Sequence, residues 1–492
     1  MKNVTKFANA IYDAGGRAFL VGGLVRDMAM MSDEEQIEEH YQDNGYIKFK
    51  TDIAPGDVAA QDIDIEVYGL SWEYVKSVLE DFGAVEEVGK QFGVMKAMSL
   101  GWDVSLPRTE SKSGEGHRGF DVTPDPNLSH HQAAKRRDLT INAISYDPLT
   151  EWFIDPLGAM SDIRNCVIRM ADPVTFGDDP LRALRVASFA SRFPTFRVCE
   201  DTMRMVGAQP IHELPAERIF TELKKILLGR KPSHGFDVLR KSGLLRYFPQ
   251  INNLIGVPQD PGHHPEGCVY THTMMVIDEA TVYRKGDPDF DLPLMFGTLC
   301  HDFGKPKSTR SKDGKIHTRG HEESGVAPTR EFMLAIKAPF DLARKVEVLV
   351  LDHLRPQLMA NRARMKGYRR LKRRLDDARV SPELLSKVSA ADVWGRGTEL
   401  CERERKDKLR EIFLDEMEKY TESASDNGIT MKDAVTGKHL IAIGMEPGVE
   451  MGELLKMCRS VQDMIGMADD PGYILRYALR RIRWTRLLGI LD

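Results

Sequence analysis

An α+β protein, with a mixed α/β head leading into a long all-helical body, is the fold class this sequence predicts. Up to about Tyr146, short β-like runs at 18–21, 63–68 and 102–106 alternate with helical stretches such as 72–82. From about Pro180 the spacing of apolar residues becomes helical, in 181–193, 216–228 and 235–245. Beyond these the chain reads as helices joined by turns that Pro and Gly mark.

The length, 492 residues, exceeds what one ordinary core holds, so about two to four domains are expected. We place boundaries near 146, 260 and 396, giving segments 1–146, 147–260, 261–396 and 397–492. Asp260-Pro261-Gly262-His263-His264-Pro265 reads as a linker, and the polar stretch 32–55 as an insertion. There is no internal repeat and no low-complexity tract.

Composition excludes several classes. With 42% apolar and 29% charged residues the chain reads as soluble and globular. It lacks a run of about eighteen apolar residues, so no membrane span is expected. Residues 1–10 lack the apolar centre of a signal peptide. Six scattered cysteines without a Cys-x-x-Cys fit a reducing cytoplasm better than disulfides or a thiolate zinc site. A net charge of −5 does not favour nucleic acid, but the cations cluster. The stretch 362–374 holds eight Arg and Lys and no acid, and 476–486 is similarly basic. Either run reads equally as an RNA-facing surface or a solvated helix face.

Chemistry enters at Asp62-Ile63-Asp64-Ile65-Glu66-Val67. In a strand, residues two apart share a face, so Asp62 and Asp64 project together while Ile63 and Ile65 enter the core. Carboxylates held side by side repel unless a cation lies between them, and an oxygen-seeking divalent ion such as Mg2+ meets that need. Asp103, in Trp102-Asp103-Val104-Ser105, lies on another β-like run and is the candidate third carboxylate. Two metals in such a cluster would activate a hydroxyl and stabilise leaving pyrophosphate. An isolated Asp-x-Asp also marks the wet face of an amphipathic strand, so context must decide.

That context is a series of motifs. Upstream, Leu20-Val21-Gly22-Gly23-Leu24-Val25-Arg26-Asp27 reads as strand, tight turn and helix start, a backbone suited to phosphate. Downstream come Arg136-Arg137-Asp138-Leu139-Thr140-Ile141-Asn142-Ala143, Asp155-Pro156-Leu157-Gly158, Asp162-Ile163-Arg164 and Asp178-Asp179-Pro180-Leu181-Arg182-Ala183-Leu184-Arg185. Taken in order over about residues 16–250, they make the chain resemble the class II, bacterial-type tRNA nucleotidyltransferases, which include CCA-adding enzymes and poly(A) polymerase relatives. Val88-Gly89-Lys90-Gln91-Phe92-Gly93-Val94 and Gly116-His117-Arg118-Gly119-Phe120 are also similar to segments of that group.

The resemblance implies a polymerase-β-like nucleotidyltransferase head, a helical neck, and addition of C and A to the tRNA 3′ end from CTP and ATP. It implies Mg2+ on Asp62 and Asp64, with Asp103 as third catalytic carboxylate. Gly22, Gly23, Arg26 and Arg137 would bind the nucleotide. Asp179 and Arg182 would select its base without a template, and Arg185, one turn on, would face the same pocket. Residues i and i+3 share a helix face, and Asp with Arg offers the acceptors and donors that a base edge pairs with. Departures from the family pattern are Ser188 where an arginine is common, Ala159 where glycine is frequent, and the longer segment 32–55.

A second constellation follows at 263–396: His272 in Tyr270-Thr271-His272-Thr273, then Leu299-Cys300-His301-Asp302-Phe303-Gly304-Lys305, His321, His353 and Asp392. Imidazole with carboxylate suits a divalent metal. The segment resembles the HD metal-dependent phosphohydrolases, which implies one metal, of a kind the sequence does not identify, on His272, His301, Asp302 and Asp392. His321 and His353 would serve a second metal or a substrate phosphate. The part from 397 resembles tails of bacterial family members and implies a grip on tRNA by shape and phosphate. Competing expectations are a poly(A), CC-only or A-only enzyme, a mainly hydrolytic HD protein with a tRNA-binding head, and a non-catalytic RNA binder.

Overall fold

The structure, a computed structural model, describes residues 2–32, 38–41, 47–51, 53–58, 63–88, 93–112, 120–361, 365–426, 433–465 and 470–487. The chain divides into two compact units, Met1–Pro249 and Gln250–Asp492.

In the first unit nine described strands form one mixed sheet. In chain order the strands are β1 (Arg17–Val21), β2 (Glu38–Tyr41), β3 (Ile47–Lys50), β4 (Ile63–Tyr68), β5 (Val85–Val88), β6 (Val94–Ala97), β7 (Trp102–Ser105), β8 (Arg108–Lys112), β9 (Phe120–Pro124), β10 (Ser145–Tyr146) and β11 (Phe153–Asp155). β8 and β9 pair as a separate hairpin; the others lie in the order β2-β3-β11-β10-β1-β4-β7-β6-β5. Only β4 and β7 run parallel. A parallel pair needs a long crossover, which the helix Trp72–Glu80 and the β5–β6 hairpin supply.

The alternation in β4 has its expected effect at the N-terminal end. Ile65 and Val67 join Leu20, Met95 and Val104 in the core, while Asp64 is exposed. Further along, Glu66 is buried although it shares the face of Asp64. The segment 32–55 is more than an insertion. Its β2 and β3 extend the sheet, β3 pairs with β11, and Phe49 stacks on Phe153 with ring centroids 4.6 Å apart. Because β11 bonds both β10 and β3, the sheet continues beyond residue 146. The helices Leu181–Arg192, Ala216–Leu227 and Pro232–Lys241 follow, the first packing on both others.

The second unit is built on helices Val269–Ala280, Pro288–Cys300, Phe340–Asp352 and Pro382–Trp394, which bury Leu294, Phe296, Leu349 and Val388. In this unit the all-helical expectation fails at a described hairpin, as it does in the first unit where Val167–Ile168 pairs with Arg197–Val198. Thr309–Lys312 and Lys315–Thr318 form a β-hairpin, turned by Asp313 and Gly314 at φ 53° and 73°. Two consecutive positive φ values match the strand twist, and Asp-Gly is the dipeptide that adopts them at least cost. Residues 260–265 are a folded loop, in which Asp260 accepts bonds from the backbone N–H of Gly262, His263 and His264. Towards the C-terminus a small cluster of Leu440, Leu454, Val461 and Ile474 joins the last helices.

Of the basic run 362–374, residues 362–364 and the side chains of 365 and 366 lie outside the described residues, and the structure shows what the cations from 369 on do. On the helix Met365–Asp377, Arg373 reaches Asp433 at 2.6 Å and Asp463 at 3.0 Å, and Arg374 holds buried Asp352 at 2.6 Å. Arg370 donates to Ser460 and Arg369 to the Asp463 carbonyl. These described cations tie helices together. In the run 476–486, the side chains from residue 480 on lie outside the described residues.

Candidate active site and a buried histidine–aspartate centre

A cleft of about 490 Å³ opens in the first unit. It gathers Gly22, Gly23, Arg26, Asp64, Arg137, Asp179, Arg182 and Arg185, which sequence reasoning had singled out from four separate motifs. Asp62 lies outside the described residues, as do 89–92 and 113–119.

The floor is set by strand register. Asp64 on β4 is the Cα partner of Asp103 on β7, and Asp103 is the partner of Lys96 on β6. Register partners share a sheet face, so two carboxylates and an ammonium stand in a row. Lys96 Nζ lies 2.9 Å from Asp103 Oδ2. An exposed carboxylate beside a second one, at an arginine-lined cleft, fits a divalent cation.

The glycine turn explains itself against that floor. Gly22 has φ 77°, and a Cβ there would stand 2.7 Å from Asp64 Oδ2. Only glycine permits both the turn and the approach of β1 to the carboxylate. The helix Gly23–Met31 then starts at the cleft, directing its first N–H groups and positive dipole end towards it.

The walls are arginines whose forks are already held. Arg26 donates to Asp27 at 2.8 Å and Asn142 at 2.9 Å and lies over the rings of Phe189 and Phe193. Burial lowers its pKa. Arg136 and Arg137 share Glu66, at 2.5 and 3.5 Å. Burial alone would raise the Glu66 carboxyl, but Arg137 and Arg136 outweigh it and hold the acid below its ordinary range. Asp138 is likewise buried, and Arg185 at 2.7 Å with Asn142 at 2.9 Å keeps it below the usual range against the effect of burial.

The base-selection pair differs from a surface salt bridge. Asp179 does not pair with Arg182; it takes the Arg218 guanidinium at 3.0 Å and the Leu181 N–H at 3.1 Å. Arg182 is buried and donates to the carbonyl oxygens of Thr175 and Arg136, both at 2.6 Å. Two separate supports therefore fix the acid and the guanidinium on one cleft wall. Ser188, the departure from the family pattern, lines the same wall between Arg185 and Arg192, so cations one turn away on either side remain. Ala159 is fully buried in the helix Ala159–Arg164, whose first turn is capped by Asp155 accepting from Ala159 and Met160.

Sequence reasoning overlooked Glu66, Asn142, Arg192 and Lys225. Glu66 was visible as the third acid of the alternating run. Asn142 lay in the quoted double-arginine motif without a role, and Arg192 and Lys225 come to the cleft by tertiary packing.

In the second unit His272, His301, Asp302, His321, His353 and Asp392 meet, all buried. The local cause is helix termination. His301 and His353 directly follow helices, and each Nδ1 bonds the carbonyl three residues back, Thr298 and Val350, at 2.7 Å. Helix ends leave such carbonyls without partners. His321 Nδ1 meets the Thr318 carbonyl at 3.1 Å, and His272 Nδ1 meets Glu266 at 2.8 Å. In the tautomer that carries its proton on Nδ1, each Nε2 presents a lone pair inwards.

Those Nε2 atoms lie 3.4 Å apart in His272 and His301, and 3.3 Å apart in His321 and His353. Facing lone pairs at that distance repel unless a cation separates them. Asp302 lies between the pairs, Oδ2 3.1 Å from His301 and Oδ1 3.5 Å from His321. Lys305 pairs with Oδ2 at 2.7 Å, yet neither buried oxygen accepts a hydrogen bond of normal geometry. Burial and the neighbouring histidines push His353 down to about 3, so it stays neutral. The donor set thus fits divalent metal, with Asp302 able to face two ions. Asp392 approaches His272 at 3.1 Å and is held by Arg396 at 2.6 Å. Gly304 permits this closure, since a Cβ there would stand 2.0 Å from the His321 carbonyl oxygen. His264 and Glu266, which the sequence placed in or beside a linker, also belong to this centre.

Comparison with known proteins agrees with this geometry. A family model described as the Poly A polymerase head domain matches residues 18–169. A second, described as a probable RNA and SrmB-binding site of polymerase A, matches 206–255. The Multifunctional CCA protein of Mannheimia succiniciproducens is 30% identical over 415 residues, covering 80% of this chain and 96% of the relative. That of Pasteurella multocida is 30% identical over 404 residues, covering 79% and 95%. In fold, the chain is similar to the Bacillus stearothermophilus CCA-adding enzyme solved in complex with CTP, at 21% identity and TM-score 0.57, with 99% and 98% of the chains covered. The polymerase-type head with its glycine turn, paired carboxylates and arginine-lined cleft, and the near full-length match to these relatives, together show that the chain belongs to the multifunctional CCA protein family of tRNA nucleotidyltransferases.

Proposed function

We propose that the head cleft adds C and A to the tRNA 3′ end, the tRNA 3′-hydroxyl attacking the α-phosphate of CTP or ATP. The observation that carries this reading is the register of Asp64 with Asp103 at the edge of the arginine-lined cleft. Asp62 and Asp64, with Asp103, would hold Mg2+, which supplies charge stabilisation at the α-phosphate and the leaving pyrophosphate. The N–H groups following Gly22 and Gly23, together with Arg26 and Arg137, bind and orient the triphosphate. Asp179 and Arg182 meet the base, each held in place by a partner that leaves acceptor and donor capacity directed to the cleft. Arg185, fixed by Asp138, adds positive charge to the same wall.

The finer division of the chain is part of the proposal: a head at 1–146 continued by β10 and β11, a neck at 147–260, an HD-type segment at 261–396 and a tRNA-gripping tail at 397–492. Cytoplasmic location accords with this role; no described helix is long and apolar enough to cross a membrane.

A tRNA ending before CCA, incubated with CTP alone, ATP alone and both, tests the reading. Full CCA requires both nucleotides. Tails of many A residues would assign a poly(A) polymerase, and arrest after CC a partial enzyme. Asp64→Ala that still incorporates nucleotide would overturn the assignment.

A second activity is proposed for the histidine–aspartate centre, on the converging Nε2 atoms and the unsatisfied Asp302 oxygens. It would be a metal-dependent phosphohydrolase, His272, His301, Asp302 and Asp392 holding one divalent ion and His321 and His353 a second ion or a phosphate. Release of phosphate from RNA 3′ ends, lost in His301→Ala and retained in Asp64→Ala, tests it.

A further inference from the structure

Strand β4 carries two acids on one face, Asp64 and Glu66, and the second does something the first does not. Glu66 is 2% exposed and does not line the cleft. It lies behind the double arginine, accepting from Arg136 at 2.5 Å and Tyr68 Oη at 2.7 Å, with Arg137 at 3.5 Å. Both arginines line the cleft. Two adjacent buried guanidinium groups repel, and Arg136 is among the causes that depress the Arg137 pKa, after burial itself. A single buried carboxylate between them removes that repulsion and takes up donors on their inner sides. Both guanidinium groups are thereby held where they line the cleft.

The same contact reaches further. The carbonyl oxygen of Arg136 accepts from Arg182 at 2.6 Å. The acid therefore braces a segment whose side chain lines one wall and whose backbone supports the base-selecting guanidinium of another. We infer that Glu66 is the positioning residue for the nucleotide: it sets the two arginines for the triphosphate and, through the Arg136 backbone, steadies Arg182. One strand thus supplies the cleft carboxylate Asp64 and the brace for the nucleotide, spaced by its two-residue period. This rests on the reading that Arg137 faces the triphosphate.

The test uses the full chain, a tRNA lacking CCA and titrations of CTP, with Arg137→Ala and Glu66→Gln compared. Glu66→Gln keeps the shape and removes the charge. The KM for CTP should rise about tenfold or more, because the charge-assisted bond to Arg136 and the ion pair with Arg137 are lost. The KM for tRNA should stay near the wild-type value, and the thermal melt should show a folded protein. Tyr68→Phe, a milder change, removes one donor to Glu66 and should raise the CTP KM by a smaller factor in a protein that remains folded; it carries the test if Glu66→Gln does not fold. Folded Glu66→Gln or Tyr68→Phe with an unchanged CTP KM overturns the inference, as does a loss confined to kcat. Arg137→Ala separates the two levels. If it leaves the CTP KM unchanged, the reading of the cleft fails; if it raises the KM while Glu66→Gln does not, only the role of Glu66 fails.

Discussion

Asp64 and Asp103 are partners across the only parallel strand pair of the described head sheet. They are 39 residues apart in the chain, yet the register of β4 and β7 puts them side by side on one face. That relationship sets the first expectation. Asp64→Ala and Asp103→Ala should each lower nucleotide incorporation by about 100-fold or more, with the melting temperature nearly unchanged, because the side chains are at a surface edge. A folded Asp103→Ala with wild-type incorporation would remove that residue from the site.

Gly22 is the tightest point of the cleft. Alanine there meets Asp64 Oδ2 at 2.7 Å and retains a positive φ, so Gly22→Ala should cost about 1–3 kcal/mol of stability. Denaturant unfolding measures it. Displacement of the carboxylate should also raise the Mg2+ concentration needed for half-maximal activity.

Arg182, the proposed base contact, supports two backbone carbonyls. Arg182→Ala leaves the Thr175 and Arg136 oxygens without that donor, which costs about 1–3 kcal/mol. Incorporation of UTP and GTP by the variant should rise relative to CTP and ATP. Competition assays with mixed nucleotides read this directly, and unchanged selectivity would count against the base-selection role.

At the buried centre, Asp302 faces both histidine pairs, so Asp302→Ala should abolish divalent metal binding. Glu266, the sole side chain holding an Nδ1 of the four, should matter less: Glu266→Gln lowers metal affinity by about 10- to 100-fold. Metal analysis by mass spectrometry after dialysis checks both. CCA addition should persist in each variant, because the two sites share no residues.

Acid sensitivity should reside partly in Asp138. Its folded pKa lies below the ordinary value of 3.8, so its ionised form adds stability that is complete above that value. The contribution is lost as pH falls through the lowered folded pKa. Asp138→Asn should therefore flatten the acid limb of a stability-versus-pH curve while lowering stability at neutral pH.

Much of this protein was written in local pattern. The two-residue period of 62–67 marked a strand with acids on one face, and β4 occupies Ile63–Tyr68. The helices near 181, 216 and 235 followed from apolar spacing, and the motifs named most of the cleft before any coordinates did. Residue types and short-range spacing are what backbone periodicity can encode.

Tertiary structure decided what long-range pairing alone can set. It put Asp103 beside Asp64, made Glu66 a buried brace rather than a surface acid, and joined Glu38–Tyr41 and Ile47–Lys50 to the sheet as β2 and β3. It tied Arg373 and Arg374 of the basic run into ion pairs with Asp433 and Asp352, and made a linker the neighbour of His272. The reason is common to all: a charged side chain is read the same way in any sequence, but whether it meets water, a ligand or a counter-ion depends on which distant segment packs against it.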